Sequence, residues 1–187
     1  MAKVDKNIVI TGLSGSLGDQ LVIQEARGGR TIVRTKPRPS DKPPSEAQTA
    51  QRDQFREAVT YAKQAAKSEP AYAAKAEGTA QTAFNVALAD FLHPPEIVEL
   101  DVSGYTGKVG ETIRVRARDD VAVKTVNVAI AAADGTLIES GAAAAAAGVP
   151  GWWAYLTKAA ATGNGVKVLA VAQDLPGHEA RKEVSGQ

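Results

Sequence analysis

The spacing of apolar residues changes twice along this chain of 187 residues and divides it into three parts. In residues 1–44, two short runs rich in β-branched residues flank a pair of glycines, which is typical of a β-hairpin. In residues 45–95 the apolar residues recur at helical spacing, and from residue 96 onward they alternate with polar residues, which indicates strands. The pattern predicts a multidomain α+β protein with three parts: a β-hairpin arm with a Pro-rich linker (1–44), a helical hairpin (45–95) and a β-sandwich (96–187).

The predicted hairpin consists of "QLVIQEAR" and "RTIVRTK" on either side of Gly28-Gly29. Two glycines suit a two-residue type I′ turn, because that turn needs positive φ at both positions. It would place Ile23 opposite Arg34. An isolated hairpin is only marginally stable in water, so we expect this one to lie on another surface and to act as an assembly arm. The predicted arm residues are Leu21, Ile23, Glu25, Arg27, Arg30, Ile32, Val33 and Arg34, and "KPRPSDKPP" follows them as an extended linker.

The second part predicts two antiparallel helices. Ser45 and Gln48 have the spacing of a capping box, in which each side chain accepts a hydrogen bond from the other residue's backbone N–H. Pro70 ends the first helix or begins the next, and "HPP" at 93–95 ends the second. The residues expected to pack the pair together are Phe55, Val59, Phe84, Leu88 and Phe91.

The third part contains seven candidate strands, separated by turn signals such as "TGKVG", "ADGT" and "LPGH". They are "EIVELDV", "ETIRVRARD", "VAVKTVNVAIA", "TLIES", "WWAYLTK", "GVKVLAVAQD" and "EARKEVS", while "GAAAAAAGVPG" is interpreted as a loop or a distorted edge. The segment "RARDDVAVKTVNVAI", the later "WAY" and the closing "VLAVAQDLPGHEARKEV" follow the order found in bacterial immunoglobulin-like domains, which this half of the chain resembles. The resemblance implies a β-sandwich that serves as a spacer, an adhesin or an assembly module.

The first half carries a second resemblance. "GLSGSLGD", "VIQ", "TIVRTKPRPS" and "PPSEAQTAQRDQFREAVTYAK" occur in the order seen in uncharacterised bacterial and prophage-associated proteins. In those proteins a Gly-rich start, a short hairpin and a helix rich in Gln and Arg precede a β-domain. No activity comes with this resemblance.

The opening also matches T-G-x-x-G-x-x-G over residues 11–18, which resembles the fingerprint of extended short-chain dehydrogenases. That resemblance implies a strand "IVITG", a helix "GSLGDQLVIQEARGG" and a strand "RTIVR", with Arg34 placed for a 2′-phosphate. It also implies a Tyr-x-x-x-Lys pair, and neither Tyr61 nor Tyr72 is followed by a lysine four residues later. Dinucleotide binding is therefore our third hypothesis.

The charge of the chain is nearly balanced, at +1, but residues 1–45 carry eight Lys or Arg against four Asp or Glu. Nucleic-acid binding usually needs stacking aromatic residues, and the basic run of this segment has none, so we interpret it as a solvated arm or as a contact with acidic patches on a neighbouring subunit. The basic run consists of Arg27, Arg30, Arg34, Lys36, Arg38 and Lys42.

No apolar run approaches the roughly 20 residues of a membrane span, which predicts no membrane insertion.

The chain has no cysteine, which excludes disulfides and thiolate metal sites. No signal peptide is recognisable at the N-terminus, so we expect synthesis in the cytoplasm and a final place in an extracellular or phage-like assembly.

Candidate chemistry is sparse. Trp152 and Trp153 form the only aromatic pair; we expect one ring in the core and consider the other a possible contact for a ligand. The carboxylates at strand ends would be weak calcium ligands and are better interpreted as turn residues. His93 and His178 are interpreted as structural loop residues. The carboxylates considered as weak metal candidates are Asp119, Asp120 and Asp174.

Together these observations predict a non-enzymatic structural subunit without a cofactor. It would self-assemble with copies of itself into a filament, tube or particle through its hairpin arm and helices, and would display the immunoglobulin-like domain. The alternative is an immunoglobulin-like binding or adhesion module, on a phage or cell surface, that recognises a carbohydrate or a protein.

Overall fold

The computed structural model describes the backbone of residues 2–4 and the residues of the ranges 12–18, 20–26, 29–37, 42–161 and 165–185. It is an α+β protein whose described sheets are antiparallel, as the sequence predicts. The chain forms two compact units. Unit 1 comprises Met1–Arg52 with Gly78–Ala80, and unit 2 comprises Asp53–Glu77 with Gln81–Gln187.

Unit 1 contains a four-stranded antiparallel sheet rather than a lone hairpin. Its strands are β1 (Ala2–Val4), β2 (Gly15–Leu17), β3 (Leu21–Ala26) and β4 (Arg30–Thr35), in the order β1-β4-β3-β2. The segment "GSLGDQLVIQEARGG", which a dinucleotide-binding fold would need as a helix, contains β2 and β3. The strand–helix–strand arrangement implied by the glycine fingerprint is therefore wrong.

The register of the central hairpin differs by one residue from the predicted one. Ile23 lies opposite Val33, and Arg34 lies opposite Val22. The pairing Ala26↔Arg30 leaves three residues in the connection instead of two. Gly29, the last of these, has φ +70°, which suits the left-handed position of a three-residue hairpin loop. The register shift puts Ile23 and Val33 on one face, whereas the predicted turn would have separated them.

The helical part has three helices instead of the predicted two: α1 (Glu46–Ser68), α2 (Pro70–Ala76) and α3 (Ala83–Leu92). The capping box of α1 is present, because the Ser45 N–H donates to Gln48 Oε1 at 3.0 Å and the Gln48 N–H donates to Ser45 Oγ at 3.3 Å. Pro70 opens α2, since its missing N–H costs nothing in the first turn. No helix in the described part of the chain is long and apolar enough to cross a membrane.

Residues 96–185, called here the two-sheet region, contain all seven predicted strands. One sheet has the order β5-β6-β10-β9 and the other has the order β12-β11-β7-β8. The "GAAAAAAGVPG" segment adds one short strand, β9. The strands are β5 (Glu96–Asp101), β6 (Thr112–Arg118), β7 (Val123–Ala131), β8 (Leu137–Ala142), β9 (Ala144–Ala145), β10 (Trp152–Leu156), β11 (Lys167–Asp174) and β12 (Glu179–Ser185).

Both sheets contribute to one hydrophobic core. In β6 every second residue is buried, and β11 repeats this alternation, as the period of two predicts. Each fully buried Val or Ile side chain contributes roughly 1.5–3 kcal/mol relative to an exposed one, which makes this core the main source of stability in unit 2. Its fully buried aliphatic side chains include Ile113, Val115, Val126, Val128, Ile130 and Val168.

The helices of unit 2 have a smaller core of their own, the helical core, formed by Ala62, Ala65, Tyr72, Val86 and Ala87. Val121, between β6 and β7, and Leu175, after β11, pack against it. The helical core therefore lies against the end of the two-sheet region at which these two connections emerge, and this placement brings polar side chains of helices and loops together.

Candidate functional site

Unit 1 exposes three leucines among its described residues. Leu17 of β2 lies opposite Leu21 of β3, and their side chains are 63% and 36% exposed. Leu13, just before β2, is 49% exposed. Among the described side chains of unit 1, only Ile23 and Thr31 are buried. These three leucines, called here the leucine edge, lie on or next to β2, an outermost strand of a sheet in which the described residues form almost no core.

The predicted arm residues differ in burial. Ile23 is buried, Ile32 and Val33 are half-buried, and Arg27 lies outside the described residues. Sequence reasoning missed Leu13 and Leu17. Gly18, with φ +57°, stands between Leu17 and Leu21 and was the turn signal for this second hairpin. The exposed members of the predicted set are Leu21, Glu25, Arg30 and Arg34.

The residues predicted to pack the helices together differ in burial and in contacts. Phe84 and Leu88 pack against the helical core, and Val59 is half-buried. Phe91 contacts the rings of Tyr61 and His178, with centroids 5.3 Å and 4.8 Å away. Phe55 is 46% exposed, so its predicted packing role is wrong. Residues 45–57 are all exposed, because the buried alanine stripe of α1 begins only at residue 58.

The tryptophan pair is divided between core and surface. Trp153 packs against the core of the two-sheet region, and successive side chains of a strand point to opposite faces, so Trp152 lies on the outer face. The Arg116 guanidinium stands 5.9 Å from the centre of a Trp152 ring, within cation–π distance. A cleft of about 490 Å³ opens beside them. Its lining residues are Thr112, Arg114, Ala146, Val149, Trp152, Trp153 and Ala154.

A second polar site lies where the helical core meets the two-sheet region. The Tyr72 hydroxyl is 2.7 Å from Oδ2 of Asp90 and 2.7 Å from the Tyr61 hydroxyl. Tyr72 and Asp90 are completely buried. Burial, the largest cause, and the charges of Asp119 and Asp174 together raise the pKa of Asp90 to about 7, although the Tyr72 hydrogen bond lowers it. Burial likewise raises the pKa of Tyr72, which remains a neutral donor.

The three carboxylates considered as calcium ligands hold turns and loops instead. Asp119 Oδ2 accepts the N–H groups of Val121 and Ala122. Asp174 Oδ1 accepts two backbone N–H groups, and its Oδ2 lies 3.2 Å from His178 Nδ1. Asp120 pairs with His93 at 2.7 Å. No group of three or more His, Cys, Asp or Glu residues in the described ranges is arranged to hold a metal ion.

Both histidines of the chain therefore lie in loops, as predicted, and each is paired with an aspartate at the end of the two-sheet region that faces the helices. Asp90 was not predicted as a functional residue. Its position as the one charged residue within the largely apolar run "AFNVALADFL" was the only signal for it.

No protein-family model matches the sequence, and no curated protein is significantly similar to it. Among solved structures, the chain is similar to CopC from Methylosinus trichosporium OB3b, with a TM-score of 0.37 and 17% sequence identity. The similarity covers 50% of this chain and 90% of that protein.

Proposed function

We propose that this chain is a non-enzymatic structural subunit that self-assembles through the sheet of unit 1 and displays an immunoglobulin-like domain. The observation that carries the proposal is the mismatch between the hydrogen bonding and the burial of that sheet. Four strands are paired, yet Ile23 is the only aliphatic side chain buried among the described residues of unit 1. Sheets of this size need a packed hydrophobic face to be stable, and a second copy of the chain supplies one.

The leucine edge is the surface that we assign to this contact. Among the described strands β2 is an outermost one, so we assign the side of its backbone that pairs with none of them to pairing with another chain. Leu17 and Leu21 stand beside that edge and lose the most water-exposed apolar surface when it is covered. A contact between this edge and a different surface on the next copy repeats in one direction, so it builds a ring, a tube or a filament.

Charge supports the same arrangement. Arg30 and Arg34 of β4 are exposed, and residues 1–45 are net basic. Residues 46–187 carry fourteen Lys or Arg against seventeen Asp or Glu. Opposite net charges on the two parts of the chain favour contact between the basic part of one copy and the acidic part of the next, as opposed to contact between identical surfaces.

The immunoglobulin-like assignment of the two-sheet region is supported by strand order. Immunoglobulin-type sandwiches place strands A, B, E and D in one sheet and C, F and G in the other. With A taken as β5, the order β5-β6-β10-β9 corresponds to A-B-E-D, and β12-β11-β7-β8 corresponds to G-F-C with one added strand. The disulfide of antibody domains has no counterpart, because the chain has no cysteine.

The test compares two pairs of leucines in the full-length protein. Light scattering and negative-stain images of the unaltered chain should show a polymer or large ring instead of a 19.4 kDa monomer. The double variant Leu17→Lys/Leu21→Lys should be monomeric. The control, Leu137→Lys/Leu156→Lys, changes two leucines of the two-sheet region that are 60% and 58% exposed and should still assemble. A monomeric parent protein, or equal behaviour of both variants, would refute the proposal.

The second candidate function, a binding module for a carbohydrate or a protein, is favoured by the Trp152 cleft. A half-buried indole beside two arginines offers a flat apolar surface next to hydrogen-bond donors, which is a common composition for ligand sites. In a Trp153→Phe variant, Trp152 is the only fluorophore of its kind. A glycan or protein that binds there should change its fluorescence in a saturable way, and an additional Arg114→Ala change should weaken the affinity. A panel of ligands without effect on this fluorescence would reject this function.

A further inference from the structure

Asp90 occupies a setting in which a charged carboxylate is costly. Its side chain is fully buried, and Oδ2 accepts the Tyr72 O–H. Because Tyr72 has one proton and donates it to Asp90, the Tyr61 O–H must be the donor in the 2.7 Å contact between the two hydroxyls. The direction of the chain is therefore fixed from Tyr61 to Tyr72 to Asp90, and it leaves Oδ1 of Asp90 unused.

That unused oxygen has a counterpart in the turn after β6. Oδ1 of Asp90 and Oδ1 of Asp119 are both buried and accept no hydrogen bond from the described residues. The turn that carries Asp119 lies against the end of α3, because His93, three residues after Asp90, contacts Asp120 at 2.7 Å and Val121 packs on the helical core. Two carboxylate oxygens repel each other unless one of them carries a proton, and a proton between them satisfies both.

We propose that Asp90 and Asp119 hold one proton between them, and that this shared proton makes the attachment of α3 to the two-sheet region tighter in mild acid than in mild alkali. The hydrogen bond joins the last turns of α3 to the connection between β6 and β7. The helical core already packs on that connection through Val121, so the shared proton strengthens an existing contact between the helices and the two-sheet region. This inference does not depend on the proposed assembly.

The groups around Asp90 reinforce retention of the proton. Tyr72 faces it from α2, Asp119 from the turn after β6 and Asp174 from the end of β11. Tyr61 of α1 lies behind Tyr72, and the His178 ring is paired with Asp174. Among these groups, the carboxylates of Asp119 and Asp174 raise the pKa of Asp90, and only the Tyr72 hydrogen bond lowers it.

The direction of the pH effect follows from linkage. The pKa of Asp90 is about 7 in the folded protein, above its ordinary value of 3.8. The folded state therefore binds this proton more tightly than the unfolded state. Its contribution to stability is complete below pH 4, declines as the pH rises, and is lost above about 7. The interval between these values limits the effect to about a thousandfold change in the unfolding equilibrium constant.

The test uses Asp90→Asn in the full-length chain. An amide at this position donates permanently to Asp119 and still accepts from Tyr72, so it replaces the shared proton with one that does not titrate. We expect urea unfolding of the parent protein to become easier between pH 5.5 and 8.5, and this dependence to be markedly weaker in the variant. The variant should also be the more stable of the two at pH 8.5.

The control is Asp134→Asn, a change in an exposed turn whose carboxylate accepts the Thr136 N–H. It should keep the pH dependence of the parent protein. An Asp90→Asn variant with the parent's pH dependence, or one destabilised equally at every pH, would overturn the proposal. If this variant does not fold, carboxyl ¹³C NMR of the parent decides: the Asp90 signal should shift in one step near neutral pH, and the absence of that step would refute the shared proton.

Discussion

The sheet of unit 1 and the sheets of the two-sheet region are made in the same way and are held together differently. Both consist of antiparallel strands with regular backbone pairing. In the two-sheet region the paired strands enclose a core of fifteen buried residues, whereas unit 1 buries two side chains among its described residues. Backbone hydrogen bonds replace bonds to water and contribute little net stability, so burial decides which of these sheets is stable alone.

The difference can be traced to the strands themselves. In β6, "TIRVRAR", each apolar residue is followed by a polar one, so one face is entirely apolar and the other is polar. In β3, "LVIQEA", three apolar residues come first and two polar residues follow, so neither face has a continuous apolar row. A strand of this pattern cannot contribute a wholly apolar face to a core. Among the described residues of unit 1, the leucine edge is what remains uncovered.

The largest effect should come from deletion of residues 1–44. If unit 1 serves assembly and the two-sheet region folds on its own core, the shortened protein should lose all polymer and keep a cooperative unfolding transition. The tryptophan fluorescence of the transition reports on the two-sheet region alone, because both tryptophans lie in β10. Light scattering and urea unfolding measure the two properties. Polymers in the deleted protein would show that the arm is dispensable, and a lost transition would show that the two-sheet region needs unit 1.

A smaller effect should separate the two regions by a single isoleucine in each. Ile130 is completely buried in the core of the two-sheet region, so Ile130→Ala should leave a cavity and lower the free energy of unfolding by about 2–5 kcal/mol. Ile23 is the corresponding buried isoleucine of unit 1. Ile23→Ala should leave the urea midpoint detected by tryptophan fluorescence unchanged. Equal shifts of that midpoint would mean that the two units unfold as one.

Sequence reasoning succeeded where one physical signal dominated. The seven strands of the two-sheet region were predicted because one buried face imposes a period of two over each strand. The capping box was predicted because two side chains at fixed spacing satisfy the first turn of a helix. Register depends on a finer signal: Gly28-Gly29 suits loops of two or three residues equally well, and the shift by one residue followed from the wrong choice between them.

The polar sites were harder to predict, because they are assembled from distant parts of the chain. Asp90 and Asp119 are far apart in sequence, and they come near each other because the turn after β6 packs on the helical core through Val121. Phe55 shows the opposite failure. Its helical spacing favoured burial. A helix is buried along its whole length only if a partner covers that length, and the described part of the chain covers α1 only from Ala58 onward.

The smallest effect compares two helix caps of the same chemistry. Ser45 Oγ accepts the Gln48 N–H at the start of α1, and Thr82 Oγ1 accepts the Asn85 N–H at the start of α3. Removal of either hydroxyl should cost the helix about 1 kcal/mol. Val86 of α3 belongs to the helical core, so Thr82→Ala should lower the urea midpoint of unit 2.

The start of α1 is exposed and buries nothing, so Ser45→Ala should appear only as faster hydrogen exchange in its first turns, with the midpoint unchanged. The two substitutions differ little in the bond they remove, and the difference between their results measures how strongly each helix is coupled to a core. If Ser45→Ala moved the midpoint as far as Thr82→Ala, the exposed beginning of α1 would have to unfold together with the two-sheet region. The part of α1 that is coupled to a core would then begin before residue 58, where its buried stripe starts.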